Sequence, residues 1–144
     1  MNKPFQICFF EDQTSSNLTP YQLTRPTYTI PTGTLNLIEK VQFIYPDTPL
    51  TILANKNHEP FLKKRFPTVD INILNKSLPT LYINGRCNFT KNHLLELTKG
   101  INSEKSYIFI NLQDVIGIFA DHEINSQVFE TLSKQPTFDQ IIQD

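Results

Sequence analysis

Leu18-Thr19-Pro20-Tyr21-Gln22-Leu23-Thr24-Arg25-Pro26-Thr27-Tyr28-Thr29-Ile30-Pro31-Thr32-Gly33 separates the first apolar run of the chain from its first amphipathic one. Pro20, Pro26 and Pro31 exclude a continuous helix across it, because each lacks an amide proton and clashes with the preceding turn. Each also confines its predecessor to extended backbone. The stretch reads as a long, stiff loop, and long ordered loops in compact domains are commonly functional. Gly33 ends it.

The flanks say what this loop connects. Upstream, Phe5-Gln6-Ile7-Cys8-Phe9-Phe10 is short, apolar and β-favouring, a buried strand; the acidic, turn-rich residues 11–17 after it read as a loop. Downstream, Leu35, Leu37, Ile38, Val41 and Ile44 recur at helical spacing until Pro46 stops them. Further on come a second buried strand at 50–54, a short helix at 59–66, a third strand at 69–74 and a fourth at 80–83 ended by Asn84-Gly85. Thr90 caps a helix holding Leu94, Leu95 and Leu97, with Gly100 as its stop. Residues 107–112 and 115–119 form a hairpin about Gln113-Asp114, a poor tight-turn pair, so a longer turn is expected. Residues 124–132 read as a helix, and Phe138, Ile141 and Ile142 as a last helical turn after Pro136. Strands alternating with helices predict an α/β domain with a largely parallel sheet covered on both faces. The hairpin makes that sheet mixed, and residues 1–144 read as a single domain without internal repeats.

Composition supports one core, with 39% hydrophobic and 19% charged residues. The net charge of -1 and the lack of a long basic run argue against a nucleic-acid partner bound through counterion release. Cys8 and Cys87 make no disulfide framework, which points to a reducing, cytoplasmic compartment. The start of the chain lacks a signal-peptide core, since its apolar run soon meets Glu11-Asp12. No apolar run approaches the roughly 20 residues that span a bilayer, so a soluble protein without membrane contact is expected.

The punctuation of residues 18–33 stands in register with the strand before it, the helix after it and Ile83-Asn84-Gly85-Arg86 downstream. That arrangement resembles the N-terminal nucleotide-binding part of the sugar-1-phosphate nucleotidyltransferases, over residues 5–97 and more weakly through the 107–119 hairpin. It looks most like a divergent branch similar to the bifunctional uridylyltransferase/acetyltransferase that makes UDP-N-acetylglucosamine. Glu11-Asp12, Leu23-Thr24-Arg25-Pro26 and Ile83-Asn84-Gly85-Arg86 carry that likeness. The resemblance implies a Rossmann-like nucleotidyltransferase fold in truncated or minimal form, with a nucleotide or NDP-sugar as ligand. It implies Glu11, Asp12, Thr24, Arg25, Asn84, Gly85 and Arg86 as binding residues, Arg25 as the catalytic one, and magnesium as the cofactor of an active form.

In the implied reaction a sugar-1-phosphate oxygen attacks the α-phosphorus of a nucleoside triphosphate and pyrophosphate leaves. It depends on in-line positioning and on neutralising developing negative charge. Arg25 sits in a rigid loop and suits bidentate phosphate contact; the alternative is pairing with Glu11 or Asp12. Arg86 follows a strand end, where ligands bind in open sheets, and either contacts phosphate or is a solvated turn residue. Glu11 and Asp12 either hold a metal or sugar hydroxyl, or form a solvated loop. Asp121-His122-Glu123 has no partner at metal spacing, so no metal ligands are assigned. His58, His93 and Lys63-Lys64-Arg65 read as surface, and neither cysteine has a paired base.

The chain departs from the family pattern at three points. Residues 11–17 contain no glycine, although close backbone approach to a triphosphate needs it. The family lysine falls on Thr27, and the aspartate of the family's Asn-Gly-Asp, which helps hold magnesium, falls on Arg86, which has no acceptor. The resemblance also implies a longer catalytic unit, with a second metal carboxylate and then a β-helix of hexapeptide repeats, neither evident in these 144 residues. Two readings stand: an enzyme forming an NDP-sugar, completed by a further domain or an oligomer, and a catalytically degenerate nucleotide-sugar-binding or scaffold module.

Overall fold

The computed structural model describes residues 3–19, 25–102 and 105–143. At its centre lies β1, Gln6–Phe10, with every residue buried. A strand covered on both faces needs a near-continuous apolar run. Gln6, the polar member, is satisfied by donating its side-chain amide to Asn75 O at 2.7 Å and Thr80 Oγ1 at 2.9 Å. Alternation then serves two cores: Ile7 and Phe9 point into one, Cys8 and Phe10 into the other.

Around β1 stand β2 (Leu50–Ile52), β3 (Asp70–Ile71), β4 (Thr80–Asn84), β5 (Tyr107–Asn111) and β6 (Asp114–Ala120). The sheet order is β3-β2-β1-β4-β6-β5. The first four are parallel, and β6 and β5 are antiparallel additions. Helices α1 (Leu37–Ile44), α2 (Glu59–Arg65) and α3 (Lys91–Thr98) cover one face through Ile38, Val41, Leu62, Leu94 and Leu97. Helices α4 (Asn125–Ser133) and α5 (Phe138–Gln143) cover the other through Leu132 and Ile141. The mixed, doubly covered sheet expected from the alternation is the one observed.

Local chemistry explains the element ends. Asn36 Oδ1 accepts from Glu39 N at 2.9 Å while Glu39 Oε2 accepts from Asn36 N at 3.0 Å, a capping box that starts α1. Burying Ile38 and Val41 then contributes roughly 1.5–3 kcal/mol each. Asn125, fully buried, donates to Leu78 O at 2.9 Å and Thr80 Oγ1 at 2.8 Å, which locks the start of α4 onto β4.

Several expectations are corrected. Within the residues read as loop, Gln13–Leu18 and Thr27–Thr29 form 3-10 turns, because each offers an i to i+3 bond, such as Ser15 N to Asp12 O at 3.1 Å. β3 is two residues long, since Asn72 turns left-handed at φ 57°. Its side chain replaces the lost ladder by accepting from Ala54 N at 2.8 Å and donating to Ala54 O at 3.1 Å. Gly100 does not stop α3, which continues as a 3-10 segment, Lys99–Asn102. The hairpin turn is tight instead of long: Asn111 pairs with Asp114, leaving Leu112-Gln113 as a two-residue loop. Among the described residues, no helix is long and apolar enough to cross a membrane.

The chain runs β1, β2, β3 outward and then returns to place β4 on the opposite edge of β1. That reversal falls at the carboxyl ends of β1 and β4, the position where open α/β sheets bind ligands. Phe10 pairs with Asn84, so residues 11–12 and 85–86 emerge side by side.

Leu112 occupies a left-handed position, φ 56°, and is 89% exposed. A β-carbon there costs about 1 kcal/mol and packs against little. Leu112→Gly is expected to raise the urea midpoint, by up to ~1 kcal/mol of stability once the entropy of the unfolded glycine is discounted. A lowered midpoint would show that the leucine side chain contributes to the fold.

Candidate functional site

A charged cluster sits at the carboxyl ends of β1 and β4. Beyond Phe10 the strand ladder extends one step, with Gly85 N donating to Phe10 O at 2.8 Å. Arg86 then folds back over the end of β1. Its Nε donates to Asp12 Oδ1 at 2.9 Å and Oδ2 at 3.2 Å, and its Nη2 donates to Asp12 Oδ2 at 3.1 Å. The same Nη2 donates to Asp114 Oδ1 at 2.5 Å. Asn84, fully buried, donates to Asp12 Oδ2 at 2.8 Å and to Val115 O at 2.9 Å. Its Oδ1 accepts from Arg86 N at 3.2 Å. The ends of β1, β4 and β6 are thus joined by one network. Burial works against the charge on Arg86, but the hydrogen bonds to Asp12 and Asp114 outweigh it, and the guanidinium is held more firmly protonated than usual. Two carboxylates and one guanidinium leave the cluster with one net negative charge.

Glu11 points the other way, as strand alternation requires. It is 3% exposed, and its Oε1 accepts from Thr27 N. This bond fastens the 3-10 turn Thr27–Thr29 to the end of β1. Tyr28 plugs in behind it, fully buried, with its hydroxyl donating to Leu53 O at 3.2 Å. Gly85 is needed for that approach: a β-carbon there would stand 2.5 Å from Tyr28 Cδ1 and 3.0 Å from Thr27 Oγ1. The glycine makes room for the loop.

Of the residues singled out from sequence, Asp12, Asn84 and Arg86 meet directly, and Glu11 and Gly85 hold the adjoining loop. Glu11 and Asp12 are not a solvated loop, being 3% and 5% exposed. Arg86 is not a solvated turn residue, with a side chain 15% exposed. Arg25 is exposed and makes no ion pair among the described residues, so its pairing with Glu11 or Asp12 does not form. Thr24 lies outside the described residues. His58 is half-buried, contrary to a surface reading, whereas His93 is exposed and completes a capping box with Thr90. Asp121 Oδ1 accepts from Glu123 N at 2.9 Å and Ile124 N at 3.2 Å, which gives that acidic run a turn-forming role.

Two residues of the region escaped sequence reading. Asp114 enters through the hairpin register, which no local pattern specifies. Lys40 sits on the polar side of α1 and reaches Thr32 Oγ1 at 2.6 Å, Thr32 O at 3.2 Å and Asn88 Oδ1 at 3.3 Å. It borders a cleft of about 310 Å³ between residues 27–32, α1 and residues 85–89. Cys87 lines the same cleft, and burial pushes its thiol up to about 11, unsuited to nucleophilic work at neutral pH. Burial pushes Cys8 higher still.

Magnesium would need several oxygen ligands in octahedral geometry. The carboxylates at these strand ends are Asp12 and Asp114, and Arg86 fills the space between them. Guanidinium carries no acceptor and does not deprotonate. Among the described residues no group of three or more His, Cys, Asp or Glu side chains is placed to hold a metal ion. This donor set does not fit magnesium.

The cluster separates two kinds of ion pair. Asp12→Ala strands a largely buried guanidinium and is expected to cost about 3 kcal/mol in denaturant unfolding. Asp114 is 47% exposed, so Asp114→Ala should cost no more than ~1 kcal/mol. Equal losses would contradict the assignment of Asp12 as the principal partner.

A family model described as sugar nucleotidyl transferase matches residues 7–143. Comparison with curated proteins finds no match.

Proposed function

This chain belongs to the sugar nucleotidyl transferase family, and on that premise we propose that the region at the carboxyl ends of β1 and β4, with the cleft beside residues 85–89, binds a nucleotide sugar without transferring its nucleotidyl group. UDP-N-acetylglucosamine is the ligand to which Glu11-Asp12, residues 23–26 and residues 83–86 point. One observation carries the reading: the cation at these strand ends, Arg86, is already neutralised by Asp12 and Asp114. Transfer requires preorganised positive charge aimed at the reacting phosphorus, and a guanidinium bracketed by carboxylates does not supply it. The backbone after β1 points the same way. Where close approach to a triphosphate calls for glycines, Gln13–Leu18 is a 3-10 helix of side-chain-bearing residues.

The family match from β1 to α5 favours the second reading, that of an active transferase. Arg25, exposed on the proline-ruled loop, is the residue that would meet phosphate in that case.

Titration calorimetry with UDP-N-acetylglucosamine, run beside a pyrophosphate-release assay with UTP, N-acetylglucosamine-1-phosphate and magnesium, separates the two. Saturable binding without pyrophosphate release is expected. Steady release would establish the transferase reading. Failure of every UDP- and other NDP-sugar to bind would leave a scaffold.

A further inference from the structure

We propose that Lys40 and Thr27 form an anion subsite, which takes the phosphate groups of the bound ligand, in the cleft between residues 27–32, α1 and residues 85–89. Three observations converge there. First, the ammonium of Lys40 is held by neutral oxygens alone, those of Thr32 and Asn88, and makes no ion pair among the described residues. The nearest acid in sequence, Glu39, is committed elsewhere, accepting from Asn36 N at 3.0 Å and from Arg65 Nη2 at 3.1 Å. Second, Thr27 lines the same cleft, is 4% exposed, and its Oγ1 is buried without a hydrogen-bond partner among the described residues. A buried hydroxyl left unpaired is costly, and native sites that retain one call for a missing partner. Third, much of the remaining wall is apolar, formed by Leu18, Ile30, Leu37 and Phe89. An anion entering between them would be shielded from water and drawn more strongly to the ammonium.

The neighbouring cation does not compete. Arg86 also borders the cleft, but its cluster carries one net negative charge, so positive charge offered to a ligand comes from Lys40. The backbone of Thr27 is fixed by Glu11 and its Oγ1 packs close to Gly85, at the wall of the cleft. Lys40 is preset by its three acceptors on the rim. The choice of phosphate as the anion rests on the nucleotide-sugar reading above; the existence of an anion subsite does not.

The experiment is calorimetric titration of the full chain with inorganic pyrophosphate and, separately, with UDP-N-acetylglucosamine, with acetate as a control anion. The proteins are wild type, Lys40→Met, Lys40→Arg and Thr27→Val, each with its ligand-free Tm. Losing a charge-assisted contact should weaken pyrophosphate binding about tenfold or more in Lys40→Met, while Lys40→Arg stays within about threefold. Thr27→Val should weaken binding several-fold with a Tm no lower than wild type, since it removes an unpaired hydroxyl. A purely structural threonine would instead lower the Tm. Unchanged affinity in Lys40→Met, no binding of pyrophosphate to wild type, or equal binding of acetate would each overturn the subsite. If pyrophosphate binds and is lost in Lys40→Met while UDP-N-acetylglucosamine fails to bind, the subsite stands and the nucleotide-sugar reading falls. If pyrophosphate and UDP-N-acetylglucosamine each bind wild type and Lys40→Met alike, the reading stands and the subsite falls.

Discussion

Two adjacent carboxylates leave the end of β1 in opposite directions, and the rest of the site is arranged by what they hold. Glu11 takes the amide of Thr27 and draws the proline-ruled loop onto the sheet. Asp12 takes Arg86 and Asn84 and draws the end of β4 over β1. Neither could be solvated without releasing one of these segments. Alternation along an extended backbone makes the division of labour automatic, because consecutive side chains face opposite sides. Gly85 completes the arrangement by letting Tyr28 approach where any β-carbon would collide.

The same bonds decide the electrostatics. A buried ion pair adds little net stability, because desolvation offsets most of the attraction, but it imposes one arrangement on the groups it joins. Here that arrangement spends the positive charge of Arg86 internally, between Asp12 and Asp114. The cluster therefore differs in kind from one that offers carboxylates to a metal or a guanidinium to a phosphate. Lys40, across the cleft, is bonded to neutral oxygens only and keeps its charge available. In the subsite proposed above an ammonium and a buried hydroxyl take the anion, while Asp12, Asn84 and Arg86, binding residues by resemblance, tie the strand ends together.

Elements with strong local signals were legible from the chain. The apolar run of β1, the helical repeat of α1 between Asn36 and Pro46, and the alternation of strands and helices each reflect interactions within a few residues. Where local and tertiary demands diverge, reading failed: β3 ends early because Asn72 substitutes its side chain for the strand ladder. The hairpin turn is tight although Leu112 is poorly suited to it, because the pairing of β5 with β6 sets the register.

By itself the sequence determined a single α/β sheet with two covered faces and the family to which the punctuation of residues 18–33 belongs. Resemblance pointed to Glu11, Asp12, Thr24, Arg25, Asn84, Gly85 and Arg86 as binding residues, and of these Asp12, Asn84 and Arg86 meet in one network. Only the tertiary structure decided what they do there. Asp12 and Arg86 lie 74 residues apart and meet because β1 and β4 pair in parallel at the reversal of strand order. Asp114 joins them through the antiparallel β6, and Lys40 faces the cleft through the rotation of α1. Periodicity reports which side of an element is buried; the partner a charge finds depends on sheet order and register, which no local pattern contains.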